Sequence, residues 1–93
     1  MHEFAAAERI VRIVNEAAQA NNARRVTAVY LSVEKSANLP QDSLQLHFDM
    51  LAQGSSAEGA VLYVTEIESP IGSFVNQYTV ERVELETGDD GGL

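Results

Sequence analysis

Apolar residues recur at helical spacing between Phe4 and Gln19, and polar residues fill the positions between them. A stripe with this period predicts an amphipathic helix that packs one face on a core. Asn21 and Asn22 predict its end, because asparagine tolerates the left-handed backbone conformation found at helix C-termini. The stripe consists of Phe4, Ala7, Ile10, Val11, Val14, Ala17 and Ala18.

A second amphipathic segment follows Pro40, and this proline excludes a helix in the loop before it. Asp42 or Ser43 is predicted to cap the second helix, since either side chain can accept a hydrogen bond from the first turn. The helix is expected to run to about Gln53 and to end at Gly54. Its inner stripe consists of Leu44, Phe48 and Leu51.

Three segments have the composition or the alternation of β-strands. The segment from Arg25 to Val33 is rich in β-branched and aromatic residues, and the segment from Ala60 to Ile67 is apolar enough for a covered sheet. The segment from Phe74 to Glu86 alternates with the two-residue period of a strand. This alternation predicts one face with Val75, Thr79, Val83 and Leu85 and another with Phe74, Tyr78 and Val80.

The element order α-β-α-β-β predicts an α+β fold of two layers, in which a three-stranded mixed sheet carries two helices on one face. The helix between the first two strands favours a parallel, right-handed crossover. The turn signal at residues 69–72 favours an antiparallel hairpin of the last two strands. Residues 1–87 are expected to form this single domain, and the Gly- and Asp-rich residues 88–93 are expected to form a flexible tail.

Composition narrows the class of protein. Fourteen acidic residues against six lysines and arginines give a formal net charge of −8, which argues against a nucleic-acid or anionic-membrane surface. No apolar run approaches the roughly 20 residues that span a bilayer, and a secretory pattern is absent, so a cytoplasmic location is expected. The lack of cysteine excludes disulfides and cysteine-ligated zinc. No catalytic motif occurs, so an enzyme is not expected.

The chain begins Met1-His2-Glu3. A free terminal amine, the amide nitrogen of His2 and the His2 imidazole can bind one metal ion together, and this all-nitrogen set suits square-planar Ni(II) or Cu(II). Binding requires that the methionine is retained and that its amine is free. Protons compete for the amine, whose ordinary pKa is about 7.7–8, and for the imidazole, whose ordinary pKa is about 6.5, so binding should weaken as the pH falls.

His47 is the other histidine of the chain. On a helical wheel it lies between Met50 and Leu51, at the edge of the apolar arc of the second helix. The pattern favours a boundary histidine whose ring is partly packed. A metal ligand shared between subunits is the alternative interpretation.

Several segments carry distinctive motifs: the start Met1–Phe4, residues 42–49 (DSLQLHFD), residues 54–62 (GSSAEGAVL) and residues 78–86 (YTVERVELE). Together with the predicted strand around residues 29–33, they resemble the nickel-binding domain of the HypA/HybF family. This is a family of hydrogenase maturation proteins whose members also serve urease. The Ala-Glu-Gly-Ala motif at residues 57–60 is the most specific internal element of the resemblance.

The resemblance implies a nickel metallochaperone that takes up Ni(II). Such a protein works with a nickel-handling GTPase and delivers the ion to a hydrogenase large-subunit precursor. It implies ligands at Met1 and His2, with Glu3 supplying its backbone nitrogen or tuning the site. In some members a histidine of the zinc-domain region supplies the fourth ligand of the square-planar site. Here water, the Glu3 nitrogen or a partner side chain would replace it.

One departure from the family affects the expected function. Family members carry a zinc domain with two Cys-x-x-Cys pairs between the second and third strands, and this chain does not, so no zinc is expected. The alternative function is therefore a protein-interaction or adaptor module of hydrogenase assembly without metal transfer of its own. An exposed final strand could also pair with a second copy in a homo-oligomer.

Overall fold

Helices and strands occur in the predicted order. The computed structural model describes residues 2–68 and 77–87 of the chain. Its elements are α1 (His2–Ala20), β1 (Ala23–Glu34), a 3₁₀ turn (Lys35–Ala37), α2 (Gln41–Ala52), β2 (Val61–Ile67) and β3 (Tyr78–Thr87). The predicted turn at residues 69–72, the start of the last predicted strand at Phe74 and Val75, and the tail at 88–93 lie outside the described residues.

α1 packs one face on the core, as its apolar period predicts. Ile10 and Val14 of this face are fully buried. Phe4 is predicted for the same stripe but is 42% exposed, because in the first turn its ring lies against the side of α2 instead of entering the core. Asn22 follows the helix in the left-handed conformation (φ 53°), which confirms the predicted end.

α2 begins at Gln41, two or three residues before the start that a cap at Asp42 or Ser43 predicts. The carbonyl of Pro40 accepts the first helical hydrogen bond, from the amide of Leu44 at 3.0 Å, and Pro40 itself has extended backbone. The prediction that Asp42 or Ser43 caps the helix is therefore wrong; Asp42 lies inside the first turn, where its charge suits the helix dipole. The buried face of α2 consists of Leu44, Phe48 and Ala52, with Leu51 partly buried.

The sheet has the strand order β2-β1-β3. β1 pairs in parallel with β2, as the crossover predicts, and antiparallel with β3. Both helices cover one face, so the predicted two-layer α+β fold with a mixed sheet is confirmed. The predicted hairpin between β2 and β3 is wrong, because each of them pairs with a different edge of β1 and so satisfies the backbone groups of this long central strand on both sides.

A β-bulge changes which side chains of β3 face the core. Tyr30 pairs with Arg82 and Leu31 pairs with Val80, so Glu81 is the extra residue on β3. The extra residue reverses the alternation, so Val83 and Leu85 lie on the same face as Tyr78 and Val80, whereas Thr79 is exposed. The prediction of opposite faces is therefore wrong. The side chains of β3 that pack on the core are Tyr78, Val80, Val83 and Leu85.

The other face of the sheet carries no helix in the described part of the chain. Val61 and Tyr63 of β2 are 45% and 47% exposed, so this apolar strand is covered on one face only. Tyr30 and Tyr63 stack there with ring centroids 4.9 Å apart, and the Arg82 guanidinium lies 4.2 Å above the Tyr30 ring. Among the described helices, neither has the length and apolarity needed to cross a membrane.

Candidate metal centre

The predicted nickel ligands lie at the start of α1. The helix begins at His2, so the backbone of this residue lies in its first turn. Met1 and the side chain of His2 lie outside the described atoms. The first amides of an α-helix have no acceptor within the helix, so the amide nitrogen of His2 can be used by a metal ion without breaking a helical hydrogen bond.

Glu3 is the acidic residue of the first turn of α1. Its pKa is lowered, first because its carboxylate accepts a hydrogen bond from its own backbone amide, with nearby positive charge, that of His47 included, adding to the effect. The carboxylate therefore persists to lower pH than usual. A negative group at this position partly offsets the cost of placing a cation near the positive end of the helix dipole.

His47 lies on α2 against the first turn of α1. Its ring meets the ring of Phe4 edge-on, with centroids 6.0 Å apart and an interplanar angle of 89°. Its Nδ1 lies 2.8 Å from the carbonyl oxygen of Ser43, one turn earlier on α2. The residue is half-buried, so the interpretation of a boundary histidine with a partly packed ring is confirmed.

The sequence places His47 at the edge of an apolar arc but does not reveal its neighbours. The structure brings it beside Phe4 and close enough to Glu3 for its charge to affect that carboxyl group. The contact between His47 and Phe4 joins residues 43 positions apart in sequence, so only the packing of α1 on α2 could establish it. Within residues 2–68 and 77–87, no cluster of three or more His, Asp or Glu side chains is arranged to hold a metal ion.

The acidic residues of β3 have partners on the sheet. Glu81 accepts a hydrogen bond from the Ser32 hydroxyl at 2.7 Å. Glu86 forms an ion pair with Arg25 at 3.0 Å, and Glu84 lies 3.3 Å from the Arg82 guanidinium. These carboxylates therefore interact with side chains of β1 or of β3 itself, and they are not part of the N-terminal site.

Sequence comparison agrees with the architecture. A family model described as hydrogenase/urease nickel incorporation, metallochaperone, HypA matches residues 1–84. The hydrogenase maturation factor HypA of Xanthobacter autotrophicus is 42% identical over 66 residues, which are 71% of this chain and 58% of that protein. HypA of Azorhizobium caulinodans is 40% identical over 80 residues, 86% of this chain and 71% of that protein.

Structure comparison supports the fold. The solution structure of the Ni metallochaperone HypA from Helicobacter pylori superposes with a TM-score of 0.76. The match covers 95% of this chain and all of that chain at 13% sequence identity, so it shows a shared fold.

The family model covers both helices, β1, β2 and most of β3, and it includes the Met1-His2-Glu3 start. The chain spans 58% of the length of the Xanthobacter relative. With a match over nearly the whole sequence, the chain belongs to the hydrogenase/urease nickel incorporation family, HypA.

Proposed function

We propose that this chain is a nickel metallochaperone of hydrogenase maturation that binds Ni(II) through the amine of Met1 and the amide and imidazole nitrogens of His2. The observation that carries the proposal is the start of α1 at His2. An amide within a helix would lose a hydrogen bond on giving up its proton to a metal, whereas the amides of the first turn have no such bond to lose.

Charge at the helix start also supports this proposal. A cation is disfavoured near a helix N-terminus by the helix dipole. Deprotonation of the His2 amide supplies one negative charge at the ion, and the Glu3 carboxylate, with its lowered pKa, supplies another close by. Glu3 therefore tunes the site electrostatically over the whole neutral pH range.

Delivery belongs to the same proposal. The ion would pass to a nickel-handling GTPase or to a hydrogenase large-subunit precursor. The family description supports this assignment, as does the fold shared with a Ni metallochaperone of Helicobacter pylori. The chain has no cysteine, so the proposed nickel site depends on nitrogen donors and on no cysteine ligand. The chain acts as a carrier and not as a catalyst.

An adaptor function is the second candidate. It is favoured by the uncovered face of the sheet, where Val61 and Tyr63 are exposed beside the Tyr30 ring. Exposed apolar side chains of this kind are typical of surfaces that bind other proteins. Binding of a maturation partner with equal affinity in the presence of nickel and of a chelator would favour this function over metal delivery.

A Ni(II) titration of the untagged protein tests the terminal site. His2→Ala, and separately acetylation of the Met1 amine, are expected to lower nickel affinity at least about tenfold, roughly 1.4 kcal/mol. Each change removes one nitrogen donor of the chelate. Calorimetry and the visible absorption of square-planar Ni(II) measure the effect. Glu8→Ala, at an exposed position of the same helix, is the control; wild-type binding by both test variants would reject the site.

A further inference from the structure

Two large apolar side chains of α2 face solvent instead of the core. Leu46 and Met50 are 58% and 57% exposed, the highest values among the large apolar residues that the structure describes. They lie four positions apart, so they are neighbours on one side of the helix. The buried face of α2, which contains Leu44 and Phe48, points the other way. The exposed pair therefore contributes little to the core and is available to another molecule.

The apolar surface continues from α2 onto α1. His47 precedes Met50 by three positions, so the two side chains are neighbours on the surface of α2. The His47 ring meets the exposed ring of Phe4 edge-on, with centroids 6.0 Å apart. Phe4, Leu46, His47 and Met50 together form the outer helix patch. A shallow apolar surface shared by two neighbouring helices is suited to the packing of a third helix.

Acidic side chains of α2 border the outer helix patch. Asp42 lies four positions before Leu46 and Asp49 lies three positions after it, so both carboxylates are its neighbours on the helix surface. The side-chain amide of Gln45 donates a hydrogen bond to Asp49 at 2.8 Å, which restricts the direction of that carboxylate. α2 contains no lysine or arginine. The α2 side of the patch is therefore negatively charged.

α1 contributes a further carboxylate to this border. The two helices run in the same direction, because Phe4 near the start of α1 meets His47, whereas Gln19 near its end lines a cleft with Gly54, just after α2. Glu8 follows Phe4 by four positions and is exposed, so it lies one turn further along the same side of α1. The patch therefore has acidic residues on both helices.

We propose that the outer helix patch is the docking surface for a basic amphipathic helix of a partner protein. A helix suits this surface because its apolar residues recur at the same one-turn spacing as those of the patch. Lysines or arginines beside its apolar stripe would face Asp42, Asp49 and Glu8, which makes the charges of the two surfaces complementary. Arg12, four positions after Glu8, adds a single positive charge, so the border stays negative.

Charge disfavours two other occupants of the patch. A second copy of the chain would place the same acidic border against itself, and each copy carries a formal net charge of −8. An anionic membrane surface is repelled for the same reason. Docking of a basic helix requires neither Met1 nor His2, so this inference goes beyond the proposed nickel site and can fail or succeed independently of it.

Titration with a peptide tests the apolar part of the surface. The probe is a labelled peptide of about 18 residues, roughly five helical turns, with leucines on one face and lysines on the other. Leu46→Gln combined with Met50→Gln is expected to lower the affinity for this probe at least about tenfold, measured by fluorescence anisotropy, because the change removes apolar area from the contact. Ile67→Gln, an exposed apolar position of β2, is the matched control and should stay within about twofold of wild type.

The acidic border has a separate test. Asp42→Asn combined with Asp49→Asn is expected to lower the affinity for the probe at least about threefold at low ionic strength. This difference should shrink as salt is added, because salt screens exposed charges. The NMR signals of Leu46 and Met50 in the full chain should shift on addition of the probe, and circular dichroism verifies that each variant is folded.

Several results would overturn the proposal. These are wild-type affinity in the Leu46→Gln and Met50→Gln double variant, equal binding of a scrambled peptide of the same composition, or no binding at about 1 mM probe. Sedimentation tests the second copy: a wild-type dimer that becomes a monomer in the double variant would assign the patch to self-association instead. Binding of anionic vesicles by the wild type but not by the double variant would assign it to a membrane surface.

Discussion

Burial differs sharply between neighbouring residues of α2. Leu44 is fully buried in the core between the helices and the sheet, whereas Leu46, two positions later, is 58% exposed. The two leucines are identical in chemistry and lie on the same helix, so any difference between them comes from packing. Alanine substitutions at these two positions therefore show how much the burial of one leucine contributes to the free energy of unfolding.

Leu44→Ala is expected to lower the free energy of unfolding by about 2–5 kcal/mol, because it removes buried methyl groups and leaves a cavity. Leu46→Ala, the matched control, is expected to stay within about 0.5 kcal/mol of wild type. Urea unfolding followed by circular dichroism measures both. Equal effects at the two positions would contradict the burial of α2 as described.

At the scale of elements, two glutamines of α2 cover the outer edge of β2. The backbone amide of Leu62 donates a hydrogen bond to the Gln45 side-chain oxygen at 2.9 Å. The Leu62 carbonyl accepts one from the Gln41 side-chain amide, also at 2.9 Å. Gln45 further donates to the Ala60 carbonyl at 3.2 Å. An edge strand with unpaired backbone groups invites pairing with other chains, so these contacts both join the helix to the sheet and protect its edge.

Gln45→Ala is expected to lower the free energy of unfolding by about 1–3 kcal/mol, because it leaves part-buried backbone groups of β2 without partners. Hydrogen exchange should quicken at the Leu62 amide in particular. Gln19→Ala, on α1 and distant from β2 in sequence, is the control and should change neither stability nor that amide. An unaltered exchange rate in Gln45→Ala would show that the edge does not depend on this side chain.

At the scale of the whole molecule, β3 closes the sheet against the start of β1. Thr87 pairs with Ala23, the first residue of β1, and Glu86 reaches both Arg24 and Arg25 at 3.6 and 3.0 Å. Leu85 packs on the core opposite Val26. The last described contacts of the sheet therefore involve residues 85–87, and a single domain over residues 1–87 stays a prediction that truncation can test.

A chain that stops after Thr87 is expected to unfold within about 0.5 kcal/mol of the full chain, because none of the described core residues is removed. A chain that stops after Val83 also loses Leu85 and should be destabilised by at least about 1 kcal/mol. Thermal and urea unfolding compare the three lengths. A large loss of stability in the chain that stops after Thr87 would show that residues 88–93 belong to the domain.

Local pattern in the sequence was enough to predict the type and order of the elements and the candidate ligands at the chain start. Helical spacing, strand alternation and turn residues act over a few neighbouring positions, so α1, α2 and the strands could be predicted without knowledge of the fold. The Met1-His2-Glu3 start needs no folding to be recognised, because its donors are adjacent in the chain. The same locality explains why the start of α2 was misplaced by only two or three residues.

The strand order, the bulge at Glu81 and the position of His47 beside Phe4 emerged only from the folded chain. Each depends on contacts between segments distant in sequence. The short link between β2 and β3 suggested that these two strands form a hairpin. Instead, β3 pairs with the edge of β1 opposite to β2, because the backbone groups on both edges of β1 then have partners. One extra residue then reversed the facing of half a strand, which no alternation pattern can reveal before the partner strand is known.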